Sequence, residues 1–387
     1  MTASRAILAK RIFDGDHFHR NAAIIMRQGR IEGLVAAADL PAGIARHEAE
    51  GDLICPGFVD WQVNGGGGVL FNETPTREGV AAIARAHLAY GTTACLPTVI
   101  TDAPEVTNAA ADAVAQAIAA GVPGVSGIHF EGPHLSVEKR GVHDPSFIRP
   151  LERRDFERMT RRGLGRVVAT VAPESASLDD ISALAEAGVL VSIGHTRADY
   201  ATAQKCFRAG ASAVTHLFNA MAPLHHRDPG LVGAAMENPD VWCGLIADGH
   251  HLHASMLRMI FAAVPTERLT LVTDAMPSVG FAGDAFVLNG RTVRRVNGRL
   301  TITDGTLAGS DLDMIAAVRF AVSKCGADLA AALQMASRNP AKMLGLADCG
   351  HLRTGARADL LVLSEALDLK SVWLGGNRQE FPEKARL

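Results

Sequence analysis

One pattern recurs along this chain and restricts its fold more than any other: a short apolar or β-branched run, a polar residue at its end, then a stretch of helical character. Such runs occupy 53–59, 92–96, 125–130, 166–171, 189–193, 211–214, 241–247 and 269–272. In turn they end at Asp60 and Gln62, Thr98, Glu131, Glu174, His195, His216, Asp248 and Asp274. Alanine-rich helical stretches at 77–90, 102–120, 178–187 and 198–209 lie between them, closed by Gly91, Gly121, Gly188 and Gly210, as expected just past a helix C-terminus. Strand and helix in alternation mean a parallel sheet, and eight repeats predict a closed (β/α)8 barrel of the α/β class. Catalytic groups of such barrels project from the C-terminal ends of the strands. Gln62, Glu131, His195, His216, Asp248 and Asp274 occupy those positions here.

Two regions break the pattern. Residues 1–52 hold short strand-like runs at 6–8, 22–26 and 31–34, and residues 350–387 hold two more at 359–363 and 371–374. Strand-rich ends flanking a barrel predict one small β domain built from both termini, with the catalytic barrel over 53–349. Within the barrel, Asn289-Gly290 and Asn297-Gly298 punctuate β-like runs and predict a hairpin insertion at about 284–306. Helices at 311–324 and 329–344 are expected to complete the barrel.

Composition excludes several classes. The 387 residues carry 38 Lys+Arg against 41 Asp+Glu, which removes the electrostatic case for a nucleic-acid partner. No signal-type apolar stretch follows the start, and the longest charge-free stretch, 113–130, is broken by Pro123 and three glycines, so no membrane span is expected. Six scattered cysteines without a C-x-x-C pair fit a reducing compartment; the expected location is the cytoplasm. The run Gly65-Gly66-Gly67-Gly68 lacks the Gly-Lys-Ser/Thr ending of a nucleotide-binding loop, and no G-x-S-x-G elbow is present.

Taken singly, Glu131, His195 and His216 could each be an ordinary loop or core residue. Jointly, one carboxylate and two imidazoles from three strand ends supply three ligands and leave a position for water, the arrangement of catalytic rather than structural zinc. Such a metal makes hydroxide available near neutral pH. Asp274 stands after a buried strand, where it could take a proton from that water and pass it to a leaving group. Asn219, Arg227, His143, His250 and His251 form a second polar group on neighbouring loops, and Arg with His suits an anionic substrate such as a phosphate ester.

At these residues the chain resembles the N-acetylglucosamine-6-phosphate deacetylases of the amidohydrolase superfamily. Matching stretches are Pro56-Gly57-Phe58-Val59-Asp60-Trp61-Gln62-Val63-Asn64-Gly65, His129-Phe130-Glu131-Gly132-Pro133, Lys139-Arg140-Gly141-Val142-His143 and Gly194-His195-Thr196. Further matches are Thr215-His216-Leu217-Phe218-Asn219-Ala220-Met221, Ala247-Asp248-Gly249-His250-His251, Thr273-Asp274-Ala275-Met276 and Leu307-Ala308-Gly309-Ser310. The resemblance runs nearly end to end. It implies a barrel with a small β-sandwich from both termini, a homodimer, and hydrolysis of N-acetyl-D-glucosamine 6-phosphate to D-glucosamine 6-phosphate and acetate in amino-sugar catabolism.

Carried over by motif, Glu131, His195 and His216 bind the metal and Asp274 is general base, then general acid. His143, Asn219, the Ala220 backbone and His251 hold sugar and phosphate, with Val142, Asp248 and His250 beside them. Leu307, Ala308 and Gly309 line the acetamide side, and Arg227 reaches the phosphate bound in the partner subunit. Many superfamily members carry His-x-His after the first strand for a second metal. Gln62-Val63-Asn64 stands there instead, and neutral amides are poor ligands for a transition metal. One divalent metal per subunit is therefore expected, zinc first, with iron, cobalt or manganese as alternatives. The rival readings are deacetylation of N-acetylgalactosamine 6-phosphate, hydrolysis of another amide, and a non-catalytic scaffold.

Overall fold

The computed structural model describes residues 4–381; positions 1–3 and 382–387 of the expected terminal domain lie outside them. Among the described residues, eight parallel strands form one sheet: Phe58–Val63, Thr92–Ile100, Gly127–Glu131, Arg166–Val171, Leu190–Ile193, Ala213–Val214, Trp242–Leu245 and Leu269–Leu271, each paired with the next. A parallel bridge between Val63 and Ala275 joins the last to the first and closes the barrel. Helices cover the outside, so the strands are buried on both faces and read as continuous apolar runs; every residue from Thr92 to Ile100 is buried. Trp61 fills the interior at 0% exposure and donates its indole N–H to Thr270 Oγ1 at 3.0 Å, satisfying the one polar atom its burial would strand.

The outer helices start where side chains cap them. Thr76, Ser177, Asp199 and Asp313 each accept a hydrogen bond from a backbone N–H in the first turn of Arg77–Leu88, Leu178–Glu186, Tyr200–Arg208 and Met314–Cys325, a contribution of about 1 kcal/mol per cap. Four further helices, Pro104–Ala119, Arg153–Met159, Gly230–Glu237 and Ala254–Ala263, complete the alternation. The single helix expected at 329–344 is two, Leu329–Ala336 and Arg338–Leu344, broken at Ser337. Pro340 is the cause: its ring would strike the carbonyl of Ala336, and it has no N–H to donate there.

The terminal strands form a separate sheet. Arg5–Phe13, Phe18–Arg27, Arg30–Ala36 and Ala45–Glu48 from the start join Leu360–Leu363, Leu369–Leu374 and Asn377–Arg378 from the end. Leu53–Pro56, read above as the opening of the first barrel strand, belongs to this sheet and pairs with Leu360–Leu363. Gly57 divides the two strands, because a Cβ there would lie 2.1 Å from Thr93 Oγ1. The sheet buries its own core around Ile7, Ile24, Ile54 and Trp373.

At the barrel mouth, Ala285–Leu288, Arg291–Val296 and Arg299–Thr301 form an antiparallel three-stranded sheet. Asn289, Gly290, Asn297 and Gly298 all have positive φ at its two turns, as two-residue type I′ hairpin turns require. Leu288, Val293 and Leu300 pack on Ile100 and Met276 and fix this sheet over the mouth. No helix among the described residues is long and apolar enough to cross a membrane.

Candidate active site

Glu131 ends the third barrel strand, and His195, His216 and Asp274 follow the fifth, sixth and eighth. His195, His216 and Asp274 have positive φ, 49°, 32° and 52°, at the turns where strand gives way to loop. Such a backbone costs a non-glycine residue about 1–3 kcal/mol and persists where the surroundings hold it. The residue after Glu131 is equally constrained: Gly132 has φ +84°, and a Cβ there would meet Thr101 Oγ1 at 2.2 Å.

The four side chains converge. His195 Nε2 and His216 Nε2 lie 3.3 and 3.1 Å from Glu131 Oε1 and 3.0 Å from each other. A tetrahedral metal with ligand bonds of ~2.0–2.1 Å has edges of about 3.3–3.4 Å, so this triangle fits one cation with slight opening. The tautomer of His195 agrees: its Nδ1 is 2.9 Å from the Lys139 carbonyl, which can only accept, so Nδ1 carries the proton and Nε2 offers a lone pair. Burial opposes a charge on Glu131, yet its contacts with His195 and His216 hold the carboxyl well below the usual range. The donor set, one carboxylate and two imidazoles, is that of zinc and related divalent metals.

Gln62 and Asn64, at the end of the first barrel strand, tie the Glu131 and Asp274 carboxylates together. Gln62 Nε2 donates to Glu131 Oε1 at 3.0 Å and to Asp274 Oδ1 at 3.2 Å, and Asn64 Nδ2 donates to the same Asp274 oxygen at 2.7 Å. Carboxylates accept, so both amides must present their nitrogens. Asp274 Oδ2 makes no hydrogen bond among the described residues, and Asp274 lines the central cavity. Burial, and then the Glu131 charge, push the Asp274 carboxyl up to about 6.

That cavity, of about 330 Å³, is lined by Glu131, His195, His216, Asp274, Asn64, His143, Asn219, Ala220, His251, Val142, Leu307 and Gly309. The Nδ1 of His143 is 3.4 Å from the Thr101 N–H and 2.8 Å from Thr101 Oγ1. The backbone N–H must donate, so Nε2 of His143 carries the ring proton. Burial first, and then the neighbouring His195 ring, lower the pKa of His143 to about 3, which keeps it a neutral donor. His251 is oriented by Asp248, whose Oδ2 lies 2.6 Å from its Nδ1.

Several expected residues stand elsewhere. Asp248 does not line the cavity and touches it through His251; its Oδ1 accepts the His250 and His251 N–H groups. His250 and Arg227 are exposed and outside the lining, while Ala308 is buried beside it. Sequence reading missed Ile100, Ile246, Met276 and Thr306 in the wall. It also missed groups behind the site: Thr101, the Lys139 carbonyl, and Arg291 and Asn289 of the insertion, which donate to the Val142 carbonyl at 2.7 and 3.4 Å. Backbone acceptors leave no mark in residue type, although the Lys139–His143 motif marked their loop.

With this geometry in hand, comparison with known proteins is specific. Residues 53–378 match the amidohydrolase family. An N-acetylgalactosamine-6-phosphate deacetylase of Shewanella sp. (strain ANA-3) is 43% identical over 371 residues, covering 95% of this chain and 93% of that protein. The crystal structure of N-acetylglucosamine-6-phosphate deacetylase from Pasteurella multocida superposes with a TM-score of 0.94 at 31% identity, over 98% of this chain and 100% of that one. An aspartate-to-alanine mutant of the Mycobacterium smegmatis N-acetyl-D-glucosamine-6-phosphate deacetylase, in complex with N-acetyl-D-glucosamine-6-phosphate, superposes at 0.91 with 32% identity, over 97% and 99%. Sequence, fold and strand-end constellation agree: the chain is a member of the amidohydrolase family.

Proposed function

We propose that this chain hydrolyses the acetamide of N-acetyl-D-glucosamine 6-phosphate, giving D-glucosamine 6-phosphate and acetate, as a step in amino-sugar breakdown. The observation that carries the reading is the convergence of Glu131, His195, His216 and Asp274 on one cavity, with Gln62 and Asn64 in place of second-metal ligands. One divalent metal, zinc first, would be held by Glu131, His195 and His216. When bound, it supplies a Lewis acid that acidifies water and polarises a carbonyl oxygen.

The protein's own groups then have distinct tasks. Gln62 and Asn64 fix Asp274 through Oδ1 and leave Oδ2 to accept the proton of the attacking water. The same carboxyl returns that proton to the departing nitrogen, which turns a poor amide leaving group into an amine. His143, neutral and donating from Nε2, stabilises charge developing on the acyl oxygen. Asn219, the Ala220 backbone and His251, set by Asp248, hold the sugar and its phosphate. Val142, Leu307, Ala308 and Gly309 form the acyl side. Arg227, exposed on its loop and absent from its own chain's cavity, serves the phosphate site of a second copy in a dimer.

The galacto epimer is the second reading, favoured by the name of the 43% identical relative. The test is acetate release by purified, zinc-supplemented protein from N-acetylglucosamine 6-phosphate, its galactosamine epimer and unphosphorylated N-acetylglucosamine. Fast release from the first supports the proposal, and a clear preference for the epimer moves it to the second reading. Release from none of them refutes both.

A further inference from the structure

Asp60, within the first barrel strand, is a buried carboxylate to which the chemistry above gives no task. It is 0% exposed, and no Lys, Arg or His pairs with it among the described residues. Burial pushes its carboxyl up to about 7, so the fold bears a cost to keep an acid there. All its partners lie at one point. Oδ2 accepts from Thr273 Oγ1 at 2.6 Å, and Oδ1 accepts from the Gln62 and Thr273 N–H groups at 3.2 and 3.4 Å.

Thr273 immediately precedes Asp274, whose φ of 52° needs support from its surroundings. The adjoining backbone is tied on both sides. Asp274 N donates to the Gln62 carbonyl at 2.9 Å, and Ser310 N donates to the Asp274 carbonyl at 3.0 Å. This is also the seam where Val63 bridges to Ala275 to close the barrel. Asp60 therefore grips, from the first strand, both Gln62, which holds the Asp274 carboxylate, and Thr273, which holds its backbone.

We propose that Asp60 is a positioning residue for the reaction: through Thr273 and Gln62 it clamps Asp274 in its left-handed turn across the barrel seam. The inference rests on the assignment of Asp274 to proton transfer, and one arm of its test does not depend on activity.

The variant to make first is Thr273→Val, which keeps the shape of the side chain and removes its hydroxyl. Misplacing a reacting group by about 1 Å can cost on the order of 100-fold in rate. Thr273→Val is thus expected to lower kcat about 10- to 100-fold, with KM and bound metal within about threefold of the parent protein. Thr273→Ser restores kcat, and Asp60→Ala combined with Thr273→Val is no slower than Asp60→Ala alone. In hydrogen exchange, Thr273→Val speeds the Asp274 and Ser310 amides at least about tenfold while amides of the third to fifth barrel strands keep parent rates.

Unchanged kcat overturns the proposal, as do additive losses in the double variant and equal acceleration of every barrel amide, which marks a general structural role. If the parent protein releases no acetate, the proposed function fails. The exchange arm then still decides whether the Asp60 clamp exists.

Discussion

Gln62 joins the expected ligand Glu131 to Asp274, which makes it the most informative residue to change. Its amide donates to Glu131 Oε1 at 3.0 Å and to Asp274 Oδ1 at 3.2 Å from a fully buried position. Gln62→Met preserves length and volume while deleting both donors. Hydrogen bonds to charged groups contribute about 1.5–3 kcal/mol each. Taking the lower figure twice gives about 3 kcal/mol, or about 100-fold at 1.36 kcal/mol per decade. The loss divides between the two acceptors: Glu131 becomes a less well-held ligand, and Asp274 a less well-aimed base. Replacing the outer partners of a metal site lowers affinity or activity about 10- to 100-fold, in the same range. Zinc affinity is read by competition with a chromogenic chelator, and kcat by acetate release at saturating zinc. The expected result is a loss of about 10-fold in each, with the melting temperature little changed. Both quantities within about threefold of the parent protein would refute the assignment of Gln62 as the amide that replaces second-metal ligands and steers Asp274.

Asp274→Asn should retain bound metal and abolish turnover, whereas Glu131→Ala or His216→Ala should lose the metal itself; metal analysis beside acetate release separates the two. Arg291→Ala removes the 2.7 Å donor to the Val142 carbonyl at the cavity mouth and should raise KM about 3- to 10-fold with kcat nearly unchanged, as steady-state kinetics will show. Stability should fall on acidification through a defined window. Burial lowers the pKa of His87 from 6.5 to about 4 against a hydrogen bond from its ring to the Gly65 carbonyl, so between these values the unfolded chain binds a proton that the folded chain refuses. Stability therefore rises with pH across the window and is lost below it, by on the order of 3 kcal/mol. Melting temperatures measured from pH 6.5 down to about 4 test this, and His87→Gln should lessen the slope, the buried His129 and His143 keeping their own shares.

The barrel was legible because parallel strands buried on both faces must be written as continuous apolar runs, and each run here ends in a polar residue. Glu131, His195, His216 and Asp274 stood out as a set and not singly, since the strand ends of a closed barrel face one mouth. Gly57 was harder to read: the run at 53–59 is apolar throughout, and only pairing with Leu360–Leu363, three hundred residues away in the chain, assigns its first half to the terminal sheet. The break at Ser337 was legible in principle from Pro340. The clamp at Asp60 was not, because its partner Thr273 is 213 positions distant and neither residue type announces the contact. Nor was the Lys139 carbonyl that sets the His195 tautomer, since every residue has a carbonyl.

The proposed reaction depends on one metal held by three strand-end residues and served by Asp274. The most direct measurement strips the protein with a chelator and returns zinc stepwise, following bound metal and acetate release from N-acetylglucosamine 6-phosphate together. The account predicts no release without metal and a linear rise to a plateau at one equivalent per chain. Release from metal-free protein, or a plateau reached only at two equivalents, would contradict it.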